Sequence, residues 1–596
     1  MIVLGLIDSK PSSVAVLAEG RILSAVAEER LCRKKMATGF PRMAVNEALR
    51  VAGVDPADVD RVAVAQEVSV FQPQPVAWPG WFEESNPLQP TKLEKVASRI
   101  APAVGRFPFA WRVYHQLKGL TSRDRLDAIP RILRQDYGLR APVTFYDHHY
   151  CHATGAYFTS GLTEALVVTL DGGGDGLSGS VYVGREGSLE RLATVDSFNS
   201  LGNLYSYVTA LCGFRAERDE GKITGLAAQG TPRHADALRG LVRTDARGRI
   251  RYRVPMYHAG AVQRIRKALP ADFHPPDLAA SMQLVLEEVG TSFVRHWVRT
   301  TGLRRVVAAG GVFANVKFNQ RVHELDEVDE LVVHPAMDDG GLSVGAAMAA
   351  TIEHQPRLAP RLVAPLANVY LGPGPTERDI EVAIEAAGVR ARREEDIHHA
   401  IAVRLSEGHV VARVHGRMEY GPRALGHRSI LYQANDPSVN DWLNERLQRT
   451  EFMPFAPATL VEHAGTRYEN LEGIRDTARF MTVTVNCSRA MAEESPGVVH
   501  VDGTARPQLV DRDTAPDLHA ILGAYHRRTG LPSLVNTSFN MHDEPIVCTP
   551  DDALRAFQTG RLDWLALGDY MIERADGAPG SRDAAGSASL PSPRAP

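Results

Sequence analysis

The chain has 596 residues, 44% hydrophobic and 23% charged, and its 67 basic and 71 acidic residues leave a net charge of −4. That length exceeds what one hydrophobic core organises and predicts two or three domains. The near-neutral balance offers no basic surface for nucleic acid or for an anionic membrane.

No apolar run reaches the roughly 18 residues that a bilayer span requires. The opening MIVLGLIDSK has no basic stretch ahead of a long apolar one, so no secretory signal is read there. The five cysteines are scattered and none forms CxxC. This argues against a disulfide framework and a zinc-thiolate site, and predicts a cytoplasmic protein with reduced thiols.

The first thirty residues predict three strands: MIVLGLIDS, SSVAVLAEG and, after a turn at Glu19-Gly20, RILSAVAEE. Residues 70–140, with WPGWFEESNP and AWRVYHQLKGL, read as a helical insertion. PVTFYD is a strand, and DHHYCHATGAYF opens a helix with Asp147 as N-cap. EALVVTLD, SVYVGREG and SLERLATV then repeat the three-strand unit around the glycine-rich DGGGDG, with Asp8 and Asp171 closing the first strand of each copy. Such a duplication predicts an α/β actin/hexokinase-type ATPase core, in which paired turns hold phosphate and metal between two lobes.

Residues from about 232 to 300 carry helical periodicity. Two strand-to-helix junctions follow, at Gly310-Gly311 and at Asp338-Asp339, where glycines allow close backbone approach and a helix start favours anions. The predicted N-terminal domain spans 1–353. Residues 354–367, rich in Pro and Arg, read as a linker. A second domain runs from 368 to 572, and the Gly/Ala/Ser/Pro-rich residues 573–596 read as a disordered tail.

His148 and His152 are four apart on the predicted helix, so both face one way and can chelate one divalent ion. Asp171 and Asp339, at strand ends facing the expected cleft, are candidates for further ligands. Two imidazoles with carboxylate suit Fe, Zn or Mn. Gly172 and Gly173 let backbone amides of the DGGGDG turn approach phosphate. GRMEYGPRALGHRSI (416–430) crowds Arg417, Arg423, His427 and Arg428 into a glycine-punctuated loop suited to phosphate or carboxylate. HVDGTARPQLV adds Arg506, and LVNTSFNMHDEPIV adds a polar loop after a short apolar strand.

Taken in order, DHHYCHA, DGGGDG, EGKITGLAAQG, AGGVFANV, DGGLSVGAA, GRMEYGPRALGHRSI, FMPFAPA, HVDGTARPQLV and NTSFN resemble the NodU/CmcH-type O-carbamoyltransferases, a group that includes the tobramycin and novobiocin carbamoyltransferases. The resemblance covers residues 1–572. It implies a Kae1-like N-terminal domain of the actin-type ATPase fold, followed by a YrdC-like α/β domain. It implies ATP and carbamoyl phosphate as substrates and a carbamoyl-adenylate intermediate made in the second domain. Transfer to an acceptor hydroxyl of a small molecule then takes place in the first. It also implies Fe(II) on His148, His152, Asp171 and Asp339, with Mg for ATP. Gly310, Gly311 and Asn315 fall at the nucleotide-side turn. Arg423, Arg449 and Arg506 fall among the anion binders, and Ser538 and Asn540 match an SxN motif. No nucleic-acid or membrane partner is implied, and a homodimer is compatible.

Two departures stand out. Lys10 occupies the place of a first-turn histidine that is a candidate base in relatives, so deprotonation falls to Lys10, to Asp8 or to a metal-bound group. In LQRTEFMPFAP, Leu447 and Met453 replace a lysine and an arginine, while Arg449 is retained. Loss of two positive charges predicts a weaker phosphate site. A threonylcarbamoyl tRNA-modifying enzyme and an inactive ATP-binding scaffold are the alternatives. The absence of a basic stripe disfavours the first, and Lys10 and Leu447 are the best support for the second.

Overall fold

The computed structural model describes residues 1–67, 123–253, 258–450 and 452–574, together with residues 87, 88, 92 and 95. The tail from residue 575 and most of the insertion before Arg123 lie outside the described residues; Arg123–Tyr137 is a helix.

Strands β1 (Ile2–Ile7), β2 (Ser13–Ala18), β3 (Arg21–Ala27), β4 (Arg61–Ala65) and β5 (Val143–Tyr146) form one sheet in the order β3-β2-β1-β4-β5. Strands β6 (Glu164–Gly174), β7 (Leu177–Arg185) and β8 (Ser188–Asp196) come next. A short hairpin of β9 (Val242–Thr244) and β10 (Ile250–Tyr252) interrupts the helical middle region. With β11 (Arg305–Ala309) and β12 (Glu330–Val333), the second sheet runs β12-β11-β6-β7-β8. Read from its first strand, each sheet has the order 3-2-1-4-5. In each, strands one to three are antiparallel, and strands four and five are parallel to strand one. The second hairpin of each copy turns through Glu-Gly with both residues at positive φ: 50° and 75° at Glu19-Gly20, 49° and 81° at Glu186-Gly187. That geometry matches the right-handed twist of the paired strands. The duplication is that of the actin/hexokinase-type ATPase fold. One detail differs from the sequence reading: Gly172–Gly174 continue β6 through an irregular register, and only Asp175-Gly176 make the turn.

Alternation along the strands divides the core. In the first sheet Leu4, Leu6, Val62 and Val64 face outward to helices Arg42–Ala52 and Arg123–Tyr137. Val3, Ala15, Ala63 and Ala65 face inward. These inward residues are mostly small, because a helix comes close there. The helix is Leu342–His354, which follows β12 of the second copy yet packs on β1, β2 and β4 of the first. Helix His148–Phe158 does the reverse, following β5 and packing on β6, β7 and β11. The two exchanged helices touch at Gly345, where a Cβ would lie 1.9 Å from the carbonyl oxygen of Cys151. Thr154 Oγ1 seals the crossing by donating to Gly345 O at 2.9 Å.

Among the described residues the C-terminal domain is built on ten strands: β13 (Ala391–Arg393), β14 (Val411–Val414), β15 (Arg428–Gln433), β16 (Ala456–Leu460), β17 (Val485–Asn486), β18 (Thr504–Ala505), β19 (Gln508–Val510), β20 (Ser533–Ser538), β21 (Trp564–Leu567) and β22 (Tyr570–Glu573). Eight form a mixed sheet, β13-β22-β21-β14-β15-β20-β16-β19, with helices Ile397–Ser406 and Pro516–Thr529 packed on one face. This is the α/β architecture expected of the second half. Among the described residues no helix is long and apolar enough to cross a membrane.

The segment read as a linker is held in place. Leu362 packs against Gly20 and Ala359 against Gly187, so it crosses both Glu-Gly turns. The amides of Ala364 and Leu366 donate to Phe158 O and Thr159 O at 3.1 and 3.0 Å.

Candidate active site and metal centre

The helix exchange sets the site. Asp147 starts helix His148–Phe158 by accepting from the amide of Tyr150 at 2.7 Å. One turn apart, His148 and His152 then present both Nε2 atoms to Asp171 in β6. His148 Nε2 lies 3.1 Å from Asp171 Oδ2 and 3.5 Å from Asp339 Oδ1. His152 Nε2 lies 3.4 Å from each of those oxygens. A tetrahedral shell with bonds of about 2.0–2.1 Å separates its donors by about 3.3 Å. Two imidazoles and two carboxylates at this spacing fit a divalent ion of intermediate softness. His149 is not part of the set; it is buried with Nδ1 2.9 Å from Thr169 Oγ1.

The electrostatics agree with a cation position. Burial works against a charged His148, but Asp339 and Asp171 outweigh it and raise its pKa to about 9. His152 is raised by the same contest. Asp171 is held well below the usual carboxylate range, because the two histidines overcome its burial.

The surrounding turns hold the ligands. Asp171 Oδ1 accepts from the amides of Gly172 at 2.7 Å and Gly311 at 3.2 Å. Gly310, at φ 101°, lets that turn close on β6, where a Cβ would meet Leu170 O at 2.1 Å. Gly173 packs beside Ser197. Gly174 admits the His148 ring, 2.2 Å from where its Cβ would be. Asp175, the second aspartate of DGGGDG, accepts from the amides of His148 at 2.8 Å and Glu67 at 3.0 Å. It therefore ties the two copies together. Asn315 closes the Gly310-Gly311 turn. Its Oδ1 caps helix Val316–His323 through the Phe318 amide at 3.0 Å, and its Nδ2 donates to Gln283 Oε1 at 2.8 Å.

Asp8 and Lys10 each face a side chain of opposite charge. Both oxygens of Asp8 accept from the buried Arg125, at 2.6 and 2.8 Å. Arg125 also donates to Gln66 O at 3.0 Å, locking β1 to the end of β4. Lys10 Nζ lies 3.9 Å from Glu217 Oε2, and the next residue, Pro11, packs by Gly340 beside Asp339. Arg125 is a residue the sequence did not disclose: one of four arginines in a charged helix, with a partner more than a hundred positions away.

In the C-terminal domain three motifs converge. Gln508 Nε2 donates to Leu425 O at 2.9 Å, and Asn536 Nδ2 donates to Gln508 Oε1 at 2.6 Å. Arg423, Arg506 and Ser538 each lie two residues from one member of this chain. Arg449, expected among the anion binders, has protein partners of its own. Its Nη2 donates to Ser538 O, Asn540 O and Asn540 Oδ1 at 2.6–2.8 Å, so it shapes the SxN loop. Ser538 Oγ bonds Asn540 Oδ1 at 2.6 Å. Leu447 is fully buried in the core and His542 N donates to its carbonyl, so this position is part of the packing and not a gap in a phosphate site. Met453 lies at the domain junction, its amide nitrogen 2.6 Å from where a Gly225 Cβ would be. There EGKITGLAAQG and FMPFAPA face each other, with Phe214 edge-on to Phe452 at 6.0 Å.

Family models for the carbamoyltransferase N-terminus and C-terminus match residues 3–348 and 402–574. Nodulation protein NolNO of Sinorhizobium fredii is 32% identical over 580 residues, covering 95% of this chain and 79% of that protein. Nodulation protein NolO of Bradyrhizobium diazoefficiens is 35% identical over 442 residues, covering 72% of this chain and 79% of that protein. Full-length HypF, solved in a phosphate- and nucleotide-bound form, is 13% identical, covers 59% of this chain and 56% of its own, and superposes with a TM-score of 0.34. With both halves matched in order and a relative aligned along nearly the whole chain, the protein belongs to the carbamoyltransferase family and is a transferase.

Proposed function

We propose that this chain is an ATP-dependent O-carbamoyltransferase acting on a hydroxyl of a small molecule. In the C-terminal domain, ATP, carbamoyl phosphate and water give carbamoyl adenylate with release of phosphate and pyrophosphate. In the N-terminal cleft the acceptor hydroxyl attacks the carbamoyl carbon and AMP leaves. The observation that carries this reading is the convergence of His148, His152, Asp171 and Asp339 from both copies of an ATPase-type repeat, in a chain of this family.

His148, His152, Asp171 and Asp339 would hold Fe(II) or a similar ion, which when bound supplies positive charge against nucleotide phosphate. The protein's own groups do the rest. The turns at Gly172 and Gly310-Gly311 fix Asp171. Arg423 and Arg506 supply charge for the anionic substrates of the second domain, on two loops tied by Gln508 and Asn536. Arg449 keeps the Ser538–Asn540 loop in shape. The two domains pack closely at Gly225 and Met453, and an enclosed route between the sites would suit a labile mixed anhydride.

Incubating the chain with ATP and carbamoyl phosphate, with no acceptor, tests the first half-reaction. Pyrophosphate release that depends on carbamoyl phosphate is expected. A folded, metal-loaded protein that releases none would refute the reading and favour a scaffold.

A further inference from the structure

The C-terminal domain contains a second group of imidazoles that the proposed reaction does not use. His415 follows β14 and His427 precedes β15, and the ladder joins them through the His415 amide and His427 O at 3.0 Å. Asp517 enters from the first turn of helix Pro516–Thr529 and His398 from the first turn of helix Ile397–Ser406. His415 Nε2 lies 3.2 Å and His427 Nε2 3.8 Å from Asp517 Oδ2. His398 Nε2 lies 3.3 Å from the other oxygen, Oδ1.

The tautomer of His427 is fixed by its neighbour. Its Nδ1 is 2.6 Å from the carbonyl oxygen of Arg417, which can only accept, so Nδ1 carries the hydrogen. In the neutral ring the bare Nε2 lone pair then faces a carboxylate oxygen. Two acceptors 3.8 Å apart leave between them a place for positive charge, which a proton or a metal ion can fill. The ring cannot swing away, because it stacks on Tyr370 with centroids 3.6 Å apart and planes within 10°. A carbonyl holding one ring nitrogen while the other faces outward is the arrangement seen behind metal-bound histidines.

We propose that His415, His427 and Asp517 form a second divalent-cation site, of a class that takes Zn(II), with His398 orienting Asp517 from its other oxygen. The donor atoms of the three ligands lie within 4.8 Å of one another, on three different elements. Imidazole and carboxylate donors suit Zn(II) and Co(II) better than Mg(II). The side chains of His398, His415 and Asp517 are 24–29% exposed, which leaves an entry path. Two fixed charges flank the group. Buried Arg413 donates to Gly426 O at 2.8 Å, and Glu419 accepts from the amides of Leu425, His427 and Arg428. They offset each other. An ion here would clamp the 416–427 loop, which carries Arg417 and Arg423, to two helices, so the site acts by positioning that loop.

Co(II) is the probe. Full-length protein is stripped by chelator, loaded with Co(II), and read by bound equivalents and visible absorption. Two equivalents are expected for the native chain. His415→Gln, His427→Asn and Asp517→Asn should each lose one, together with its absorption. The combined variant His148→Ala/His152→Ala leaves the C-terminal domain untouched and should keep one equivalent with the same absorption. Native stoichiometry and spectrum in all three C-terminal variants would overturn the proposal, as would a combined variant that binds none. If the native chain binds a single equivalent that only the C-terminal variants lose, the second site stands and the N-terminal assignment fails.

Discussion

His148 Nε2 meets Asp171 Oδ2 at 3.1 Å, although the two belong to different copies of the internal repeat. Neither copy holds a complete donor set. The centre exists only where helix His148–Phe158 has crossed to the other sheet, so its chemistry depends on the docking of the two lobes.

Replacing His148 or His152 with alanine should remove one equivalent of metal and lower carbamoyl transfer by about 100-fold or more. Pyrophosphate release should persist, because it is made in the other domain. Metal analysis and the two half-reaction assays separate these outcomes, and unaltered transfer would discard the assignment.

Metal-free protein should lose stability as pH rises. The raised pKa of His148 adds stability that is complete below its unfolded value of 6.5 and is lost as pH climbs through about 9. Thermal melting of the stripped protein should therefore fall across that window. Metal binding displaces the proton and strengthens with pH, so loaded protein should not follow the same decline. A stripped protein whose melting temperature rises there would contradict the sign.

Arg125→Ala should destabilise the fold by about 3–5 kcal/mol, because Asp8 is left as a buried charge without its partner. The paired change Arg125→Met with Asp8→Leu should recover much of the loss. Denaturant unfolding measures both.

Arg423→Ala should abolish carbamoyl-phosphate-dependent pyrophosphate release with little effect on melting. Arg449→Ala should lower both, since its guanidinium holds the backbone of Ser538 and Asn540. Equal melting losses for the two would erase the distinction drawn between them.

Leu447→Lys restores the residue type of relatives but should not restore a phosphate contact. The side chain is fully buried, so the ammonium would cost several kcal/mol. A variant with native stability and tighter carbamoyl phosphate binding would show that this position reaches the site.

Much of this was legible in the sequence because it is local or repeated. The two three-strand units, the Asp147 cap and the i,i+4 histidines all announce themselves within a dozen residues. Asp171 and Asp339 could be named as strand-end carboxylates, although nothing local showed how they meet. What stayed hidden depends on distant partners. Arg125 has no signature apart from Asp8. Asn315 looked like part of a ligand turn, yet its amide closes a polar network with Gln283 and Tyr205. The family resemblance placed Arg449 among the anion binders, and the carbonyls it holds could not be read from the sequence. Leu447 looked like a lost charge because burial cannot be read from one substitution. The meeting of His415, His427 and Asp517 depends on a strand register and a helix start ninety residues further on.

The exchange of helices also sets an order of events in synthesis. The first sheet has all its strands by Tyr146, but the helix that covers its inner face begins only at Leu342. A ribosome must make the whole second copy while that alanine-lined surface stays open.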